Sequence, residues 1–430
     1  MVFTHIVEQS DCEGLLKNIQ MRRKIEHRIT LRKLVMFFAL LTLFGIIYFG
    51  YFCSDNRCSL SYNPKPAIYS EWTVMNLLST NITDFKSAKD TGTGVSYNDM
   101  QSENQLRFDM NAHDVMVFLH IQKTGGTSFG RHLVQDLDLQ RPCTCQRKRK
   151  LCYCFRPSRN ENWLFSRYST GWKCGLHADF TELTGCVDSE LDKNEGKSIK
   201  RRYFYLTLLR DPVSRYLSEY KHVQRGATWR MSRHWCGGHP ASLEELPKCY
   251  NGTFWTDVTL NSFADCPYNL AANRQTRMLA DLSLIGCYNS SYMNQEERNR
   301  VMLASAKRNL LSIAFFGLTE FQKLNQYIFE ETFNLRFAVT FTQHNTTLSA
   351  VYKSLLNDEE LEKVKRINAL DIELYNFAKH YLFRRFEKLR AKNPNFKERW
   401  AHLGQLPSQT AFDWEKEVET EAADNEVNYT

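Results

Sequence analysis

Residues His120 to Ser128 read HIQKTGGTS, and their types and spacing suit the binding of a phosphate-like anion. Gly125 and Gly126 let the backbone turn tightly, so that their amides and those of Thr127 and Ser128 converge on one point at a helix N-terminus. The hydroxyls of Thr127 and Ser128 add donors, and Lys123 reaches the same oxygens. The lysine precedes the glycines, whereas in the nucleotide triphosphatase loop it follows them. No acidic residue beside the loop is an obvious magnesium ligand, and no metal is expected. The bland alternative is a glycine turn after a core strand.

A second constellation is Arg210-Asp211-Pro212-Val213-Ser214-Arg215-Tyr216-Leu217-Ser218. An arginine closing a strand, with Ser218 two turns into the following helix, brackets a further phosphate through its bidentate fork. The alternative is a plain helix start with solvated arginines. Four cysteines, Cys143, Cys145, Cys152 and Cys154, flank a basic run Arg147–Lys150. Zinc is possible by ligand type, but disulfides are expected, with Cys174, Cys186, Cys236, Cys249, Cys266 and Cys287 as further partners whose pairing stays open. The basic run itself reads as a polyanion contact, a solvated face or a processing site.

These residues need elements to hold them. Val115–Ile121 reads as a short buried strand running into the glycine loop, with a helix over 129–137 behind it. Tyr203–Leu209 is a second strand, and Val213–His222 a helix with Pro212 near its start. Ile313–Leu318 and Phe337–Phe341 are further strand candidates, Glu320–Thr332 is helical, and 358–390 is a long amphipathic helix or a pair. Strands alternating with helices predict an α/β fold with a central, mainly parallel sheet flanked by helices.

The chain has 430 residues, with 43% hydrophobic and 24% charged residues and a formal net charge of +8. That composition excludes a disordered or fibrous chain and suits an anionic partner. Leu34–Phe52 is apolar without a charge, follows Arg22, Arg23, Lys24, Arg28, Arg32 and Lys33, and is long enough to span a bilayer. The positive-inside rule then puts the N-terminus in the cytoplasm. Thirteen cysteines and sequons at Asn81, Asn251, Asn289, Asn345 and Asn428 agree with a lumenal region. The expected organisation is a cytoplasmic tail (1–33), a transmembrane signal anchor (34–53), a lumenal stem (54–110), a catalytic domain (111–400) and an acidic, disordered tail (401–430). DNA binding fits the charge but neither the anchor nor the sequons, and no nucleic-acid partner is expected.

The segments FLHIQKTGGTSFGRHLV, GLHADFTELTGC and LLRDPVSRYLSEYKHVQRGATW together resemble the heparan sulfate 6-O-sulfotransferases, over roughly residues 110–400. The resemblance implies a P-loop-like sulfotransferase fold and a single-pass type II Golgi membrane protein with heparan sulfate chains and the lipid bilayer as partners. It implies transfer of a sulfuryl group from 3′-phosphoadenosine 5′-phosphosulfate (PAPS) to the 6-hydroxyl of glucosamine, with adenosine 3′,5′-bisphosphate as product. On this reading His120, Ile121, Gln122, Lys123, Thr124, Gly125, Gly126, Thr127 and Ser128 hold the 5′ side of the nucleotide. Arg210 and Ser218 hold the 3′-phosphate, and Thr342, Gln343, His344, Leu348 and Ser349 close over the nucleotide. His177 in GLHADFTEL is the base the resemblance implies, with His120 as its rival, and Lys123 is the second catalytic candidate. Lys148, Arg149, Trp163, His222 and Trp229 are the candidate polysaccharide contacts. The competing readings are a sulfotransferase for another glycan position or for tyrosine, a nucleotide kinase, and a non-catalytic polysaccharide-binding membrane protein.

Overall fold

The computed structural model describes residues 94–146, 149–344 and 347–408, together with Met36. Its centre is a four-stranded parallel sheet of β1 (Asp114–Leu119), β2 (Leu164–Phe165), β3 (Arg202–Leu209) and β4 (Phe315–Leu318), in the spatial order β2-β1-β3-β4. β1 and β4 are buried at every position. Near-continuous apolar runs are what a parallel sheet covered on both faces requires, and the expected fold class is the one observed. β1 and β3 pair from Asp114↔Arg202 to Leu119↔Thr207. The register is fixed at its start by the fork of Arg202 on the Asp114 carboxylate, 2.7 and 2.6 Å. At the edge, the Asn325 side-chain amide serves both backbone groups of Leu318, at 3.0 and 2.7 Å, which blunts an otherwise open strand end.

The helices are α1 (Tyr97–Ser102), α2 (Gly126–Gln135), α3 (Phe180–Glu195), α4 (Pro212–Gln224), α5 (Leu260–Asp265), α6 (Arg274–Leu279), α7 (Gln295–Ser312), α8 (Gln322–Phe333), α9 (Leu348–Lys353), α10 (Asp358–Ile367), α11 (Ala369–Lys392) and α12 (Phe396–Gln405). α3 starts where Asp179 and Glu182 form a reciprocal capping box. α4 starts with Asp211 capping Ser214 and Pro212 in the first turn. The 358–390 stretch is a pair, broken at Asn368. A smaller core of Val213, Tyr216, Leu217 and Tyr220 from α4 packs with Val258, Leu260 and Phe263 around α5 and with Val364 of α10.

Among the described residues ten cysteines form five disulfides: Cys143–Cys154, Cys145–Cys152, Cys174–Cys186, Cys236–Cys287 and Cys249–Cys266. The first two are nested across a small antiparallel ribbon of Thr144–Cys145 and Cys152–Tyr153, so these four sulfurs hold one another and not a metal.

Several expectations are corrected. Residues 94–110 do not behave as a spacer. Tyr97 and Met100 are buried in the main core, and Val95 donates to Tyr203 at 2.7 Å. Phe337–Phe341 forms no strand. Phe337 makes an isolated bridge to Leu137, and its ring packs with Phe329 and Phe341. The start of the presumed acidic tail is helical through Gln405, with Leu403 buried, while 409–430 lies outside the described residues. Among the described residues no helix is long and apolar enough to cross a membrane. This corrects the expectations of a transmembrane signal anchor, a lipid-bilayer partner and a single-pass type II Golgi topology. The apolar run behind them lies, but for Met36, outside the described residues.

Candidate active site

After β1 the chain proceeds to β2 on one side, and after β3 to β4 on the other. The switch point therefore falls between β1 and β3, where open α/β sheets bind ligands beyond the carboxyl ends of their strands. The His120–Ser128 loop leaves β1 there and Arg210 leaves β3 beside it. Arg210 donates from Nη1 to the Lys123 carbonyl (3.1 Å), from Nη2 to Ser349 Oγ (2.7 Å), and more distantly to Thr347 Oγ1 (3.4 Å). Burial shifts its guanidinium below the usual arginine range, against the raising effect of Glu320 and Asp211. Thr319, at the end of β4, places its hydroxyl 2.6 Å from the Thr124 carbonyl and 3.0 Å from that of Leu209. Three strand ends thus brace one loop.

Within the loop, Lys123 and Gly125 take left-handed backbone, φ 65° and 80°. Gly125 is the N-cap of α2 and supplies no side-chain cap to the first-turn amides of that helix. Those amides suit an anion. Thr124 spends its hydroxyl on the Ile121 carbonyl, 2.9 Å, and Ile121 and Gln122 are buried beneath the loop. The side chains of these three residues are closed to any ligand in the loop. Thr127 and Ser128 keep accessible side chains.

His177 stands over the start of this loop on left-handed backbone, φ 53°. A non-glycine residue held so is worth a functional reading. Its Nδ1 lies 2.9 Å from the His120 carbonyl oxygen. A carbonyl only accepts, so Nδ1 carries the hydrogen and Nε2 presents a lone pair. Burial, chiefly, lowers its pKa to about 3, against the raising effect of that hydrogen bond, with Arg167 and Arg274 lowering it further and Glu219 raising it. His120 is also pushed well down by burial, then by His177, Arg167 and Lys123, which puts the Lys123 charge near the His120 ring. Both imidazoles are neutral at pH 7.

Around His177 the ring centroids of Trp172, His120 and Trp229 lie at 4.6, 4.7 and 5.3 Å, and His222 is 5.5 Å from Trp229. A small cleft opens here, lined by His120, Arg167, Trp172, Lys173 and His177 among others. Arg167 lies over the Trp172 ring (5.3 Å) and donates to Thr127 Oγ1 (3.4 Å). Trp172, Arg167 and Thr319 are absent from the sequence-based set. The signal available was local: Trp172 lies five residues before His177 and two before Cys174, whose disulfide to Cys186 ties this stretch to α3.

Other expected residues are more scattered. Ser218 is half-buried on α4, against which α9 packs and brings Ser349. The two helices are also joined where Lys221 Nζ sits 3.7 Å over the Tyr352 ring. Thr342, Gln343 and His344 are exposed, with Gln343 accepting from the Gln322 amide at 3.2 Å. The backbone of Leu348 opens α9. Arg149 is exposed on the disulfide ribbon, and Lys148 lies outside the described residues. Trp163 is corrected: it is fully buried beside β2, its carbonyl taken by Met116 (2.9 Å) and its amide by Cys154 (3.2 Å), so it offers no face to a sugar.

Residues 106–378 match the model described as the Sulfotransferase family. The chain is 57% identical over 285 residues to heparan-sulfate 6-O-sulfotransferase 3-B of Danio rerio, covering 66% of this chain and 68% of that protein. It is 55% identical over 287 residues to heparan-sulfate 6-O-sulfotransferase 1 of Homo sapiens, covering 66% and 69%. Against heparan-sulfate 6-O-sulfotransferase 2 of Homo sapiens the identity is 47% over 367 residues, covering 84% and 58%. The matched span contains the phosphate loop, His177, Arg210 and Ser349, and on that extent of identity the chain belongs to the heparan sulfate 6-O-sulfotransferase family.

Proposed function

We propose that the protein transfers the sulfuryl group of PAPS to the 6-hydroxyl of glucosamine residues in heparan sulfate, with His177 as general base and Lys123 facing the leaving group. The observation that carries the reading is the pairing of His177 Nδ1 with the His120 carbonyl. It ties the bare Nε2 of a neutral imidazole to the first residue of the phosphate loop. One backbone segment then sets both the nucleotide and the base.

The donor groups fit a bisphosphorylated nucleotide. The loop amides, the Thr127 and Ser128 hydroxyls and Lys123 suit the 5′ side, and Arg210, Ser218 and Ser349 the 3′-phosphate. The polysaccharide runs past Trp172, Trp229 and His222, whose flat faces suit sugar rings, while Arg167 meets its anionic groups. In the transfer, Nε2 of His177 takes the O6 proton as the O6–S bond forms. The bond from sulfur to the bridging oxygen breaks, and that oxygen leaves with the electron pair on the 5′-phosphate. Lys123 and the α2 amides meet the charge that grows there, a charge larger in the transition state than in the ground state.

The test supplies labelled PAPS with N-sulfated heparosan, chondroitin and a tyrosine peptide, followed by disaccharide analysis. Label on glucosamine O6 is expected; label on another position or on the peptide overturns the acceptor assignment. In the same assay His177→Ala should lower kcat by about 10²–10⁴-fold and leave adenosine 3′,5′-bisphosphate binding within about two-fold, as measured by calorimetry. Turnover like that of the parent protein would remove His177 from the base role.

A further inference from the structure

Helix α6 carries four consecutive polar residues, Arg274, Gln275, Thr276 and Arg277, that are 3, 1, 0 and 8% exposed. A six-residue helix that buries only polar and apolar side chains, with none left for solvent, must satisfy each of them inside. Each reaches a different element. Arg274 forks onto Glu219 of α4 through Nε (2.9 Å) and Nη2 (2.5 Å), and Arg215 pairs with the same carboxylate. Thr276 gives its amide and hydroxyl to Asp371 of α11, both at 2.8 Å, and Asp371 also accepts the Gln275 amide at 3.1 Å. Asp371 thereby does for α6 what a side-chain cap does elsewhere, since Asn273 provides none.

The other two contacts point at the two halves of the site. The Gln275 side-chain amide accepts from the Arg210 N–H (2.8 Å) and donates to the Arg210 carbonyl (2.9 Å). It completes the backbone pairing of the residue that leaves β3 and so sets where the Arg210 fork starts. Arg277 Nη1 donates to the Tyr288 hydroxyl (3.1 Å) and lies 3.9 Å from Asp179 Oδ2. The Tyr288 hydroxyl in turn donates to Asp179 at 3.4 Å. Asp179 caps α3 only two residues beyond His177, on the short stretch that turns the chain from the left-handed His177 into the helix.

We propose that α6 positions both the donor and the acceptor half of the site, with Gln275 and Arg277 as positioning residues: Gln275 acts through Arg210 on nucleotide affinity, and Arg277 acts through Asp179 and Tyr288 on His177. The proposal rests on the sulfotransferase reading above. It separates two substitutions only two positions apart on one helix, which a merely structural role for α6 does not.

The experiment measures donor KM, acceptor KM, kcat, bisphosphate binding by calorimetry and the melting temperature for full-length Gln275→Leu and Arg277→Met, with Gln275→Asn and Arg277→Lys as conservative partners. Gln275→Leu should raise donor KM and bisphosphate Kd about ten-fold, the scale of a lost buried pairing, with acceptor KM and kcat within about two-fold. Arg277→Met should lower kcat about ten-fold with bisphosphate Kd unchanged, and Arg277→Lys should recover most of it. If either parent substitution fails to fold, the conservative variant at that position carries the same split at smaller amplitude. Equal changes in all constants for both positions, tracking the loss of melting temperature, overturn the proposal. Failure of the parent protein to bind the bisphosphate overturns the underlying reading instead, so the two failures are distinguishable.

Discussion

The imidazole of His177 faces a conflict that its surroundings resolve in one direction. Burial and the positive charges of Arg167 and Arg274 disfavour its protonated form, and the resulting pKa of about 3 leaves Nε2 unprotonated at neutral pH. A base must be unprotonated to act, so in the free enzyme the acid limb of its titration lies near pH 3. Bound substrates bring anionic phosphates, sulfates and carboxylates close to the ring, which favours the protonated form and moves the pKa upward. The expected outcome is that kcat, which reports the enzyme–substrate complex, falls off on the acid side at higher pH than kcat/KM, which reports the free enzyme. Steady-state rates between about pH 4 and 8 check this. Coincident limbs would mean that the substrates do not approach the ring. At the same scale, HIQKTGGTS and Arg210 with its strand end, singled out by residue type, are brought side by side in the structure. Trp163 was misread because its type says nothing about its side of the sheet, although the run Trp163-Leu164-Phe165 has the length and apolarity of the buried edge strand it adjoins.

The element that most constrains the site is the β1–loop–α2 unit. Gly126, the first residue of α2, has no room for a side chain: an added Cβ would lie 2.6 Å from His120 Nε2. The His120 ring cannot retreat easily, since it stacks on Phe118 (5.3 Å) and meets Trp172 and His177. Gly126→Ala should therefore push His120 outward, and with it the carbonyl that orients His177. kcat and donor affinity are both expected to fall at least ten-fold, with a loss of stability of about 1–3 kcal/mol from overpacking, read by kinetics and by denaturant unfolding. An active, equally stable Gly126→Ala protein would mean that His120 is free to move. The sequence indicated the glycine pair for its turn. The demand of Gly126 for close approach was invisible, because it comes from a ring six residues away that only the folded strand end brings back. The strand over 337–341 failed for a related reason. Its apolar residues are core, but they fill space between α2 and α8 and pair with no sheet edge.

For the molecule as a whole, the five disulfides differ in what they restrain. Cys145–Cys152 closes a short loop, 7 residues apart, whereas Cys236–Cys287 spans 51. On the chain-entropy estimate these are worth about 2 and about 4 kcal/mol. The long one also anchors two segments beside the site: Trp235 donates its amide to Glu182 at 2.9 Å, and Tyr288 follows Cys287 directly. Replacing Cys236 and Cys287 together by serine should lower the melting temperature more than replacing Cys145 and Cys152, and should depress kcat as well. The ribbon pair should affect neither donor affinity nor kcat by more than about two-fold. Scanning calorimetry alongside kinetics checks the ranking, and the reverse order would count against loop length as the controlling variable.

Local chemistry determined what is local. Strand, glycine loop and helix follow one another within a few residues, so the glycine loop, the Arg210 helix start and the parallel α/β class were readable before any fold was known. The motif resemblance then named the reaction. What only the tertiary structure decided is every contact that joins distant parts of the chain. Thr319 bonds to Thr124, Ser349 to Arg210, Gln275 to the Arg210 backbone and Asp371 to the start of α6. These are side chains of common type in unremarkable surroundings, and no spacing marks them. Their partners are set by the crossover order β2-β1-β3-β4, which brings three strand ends to one edge and leaves a short buried helix between the two halves of the site.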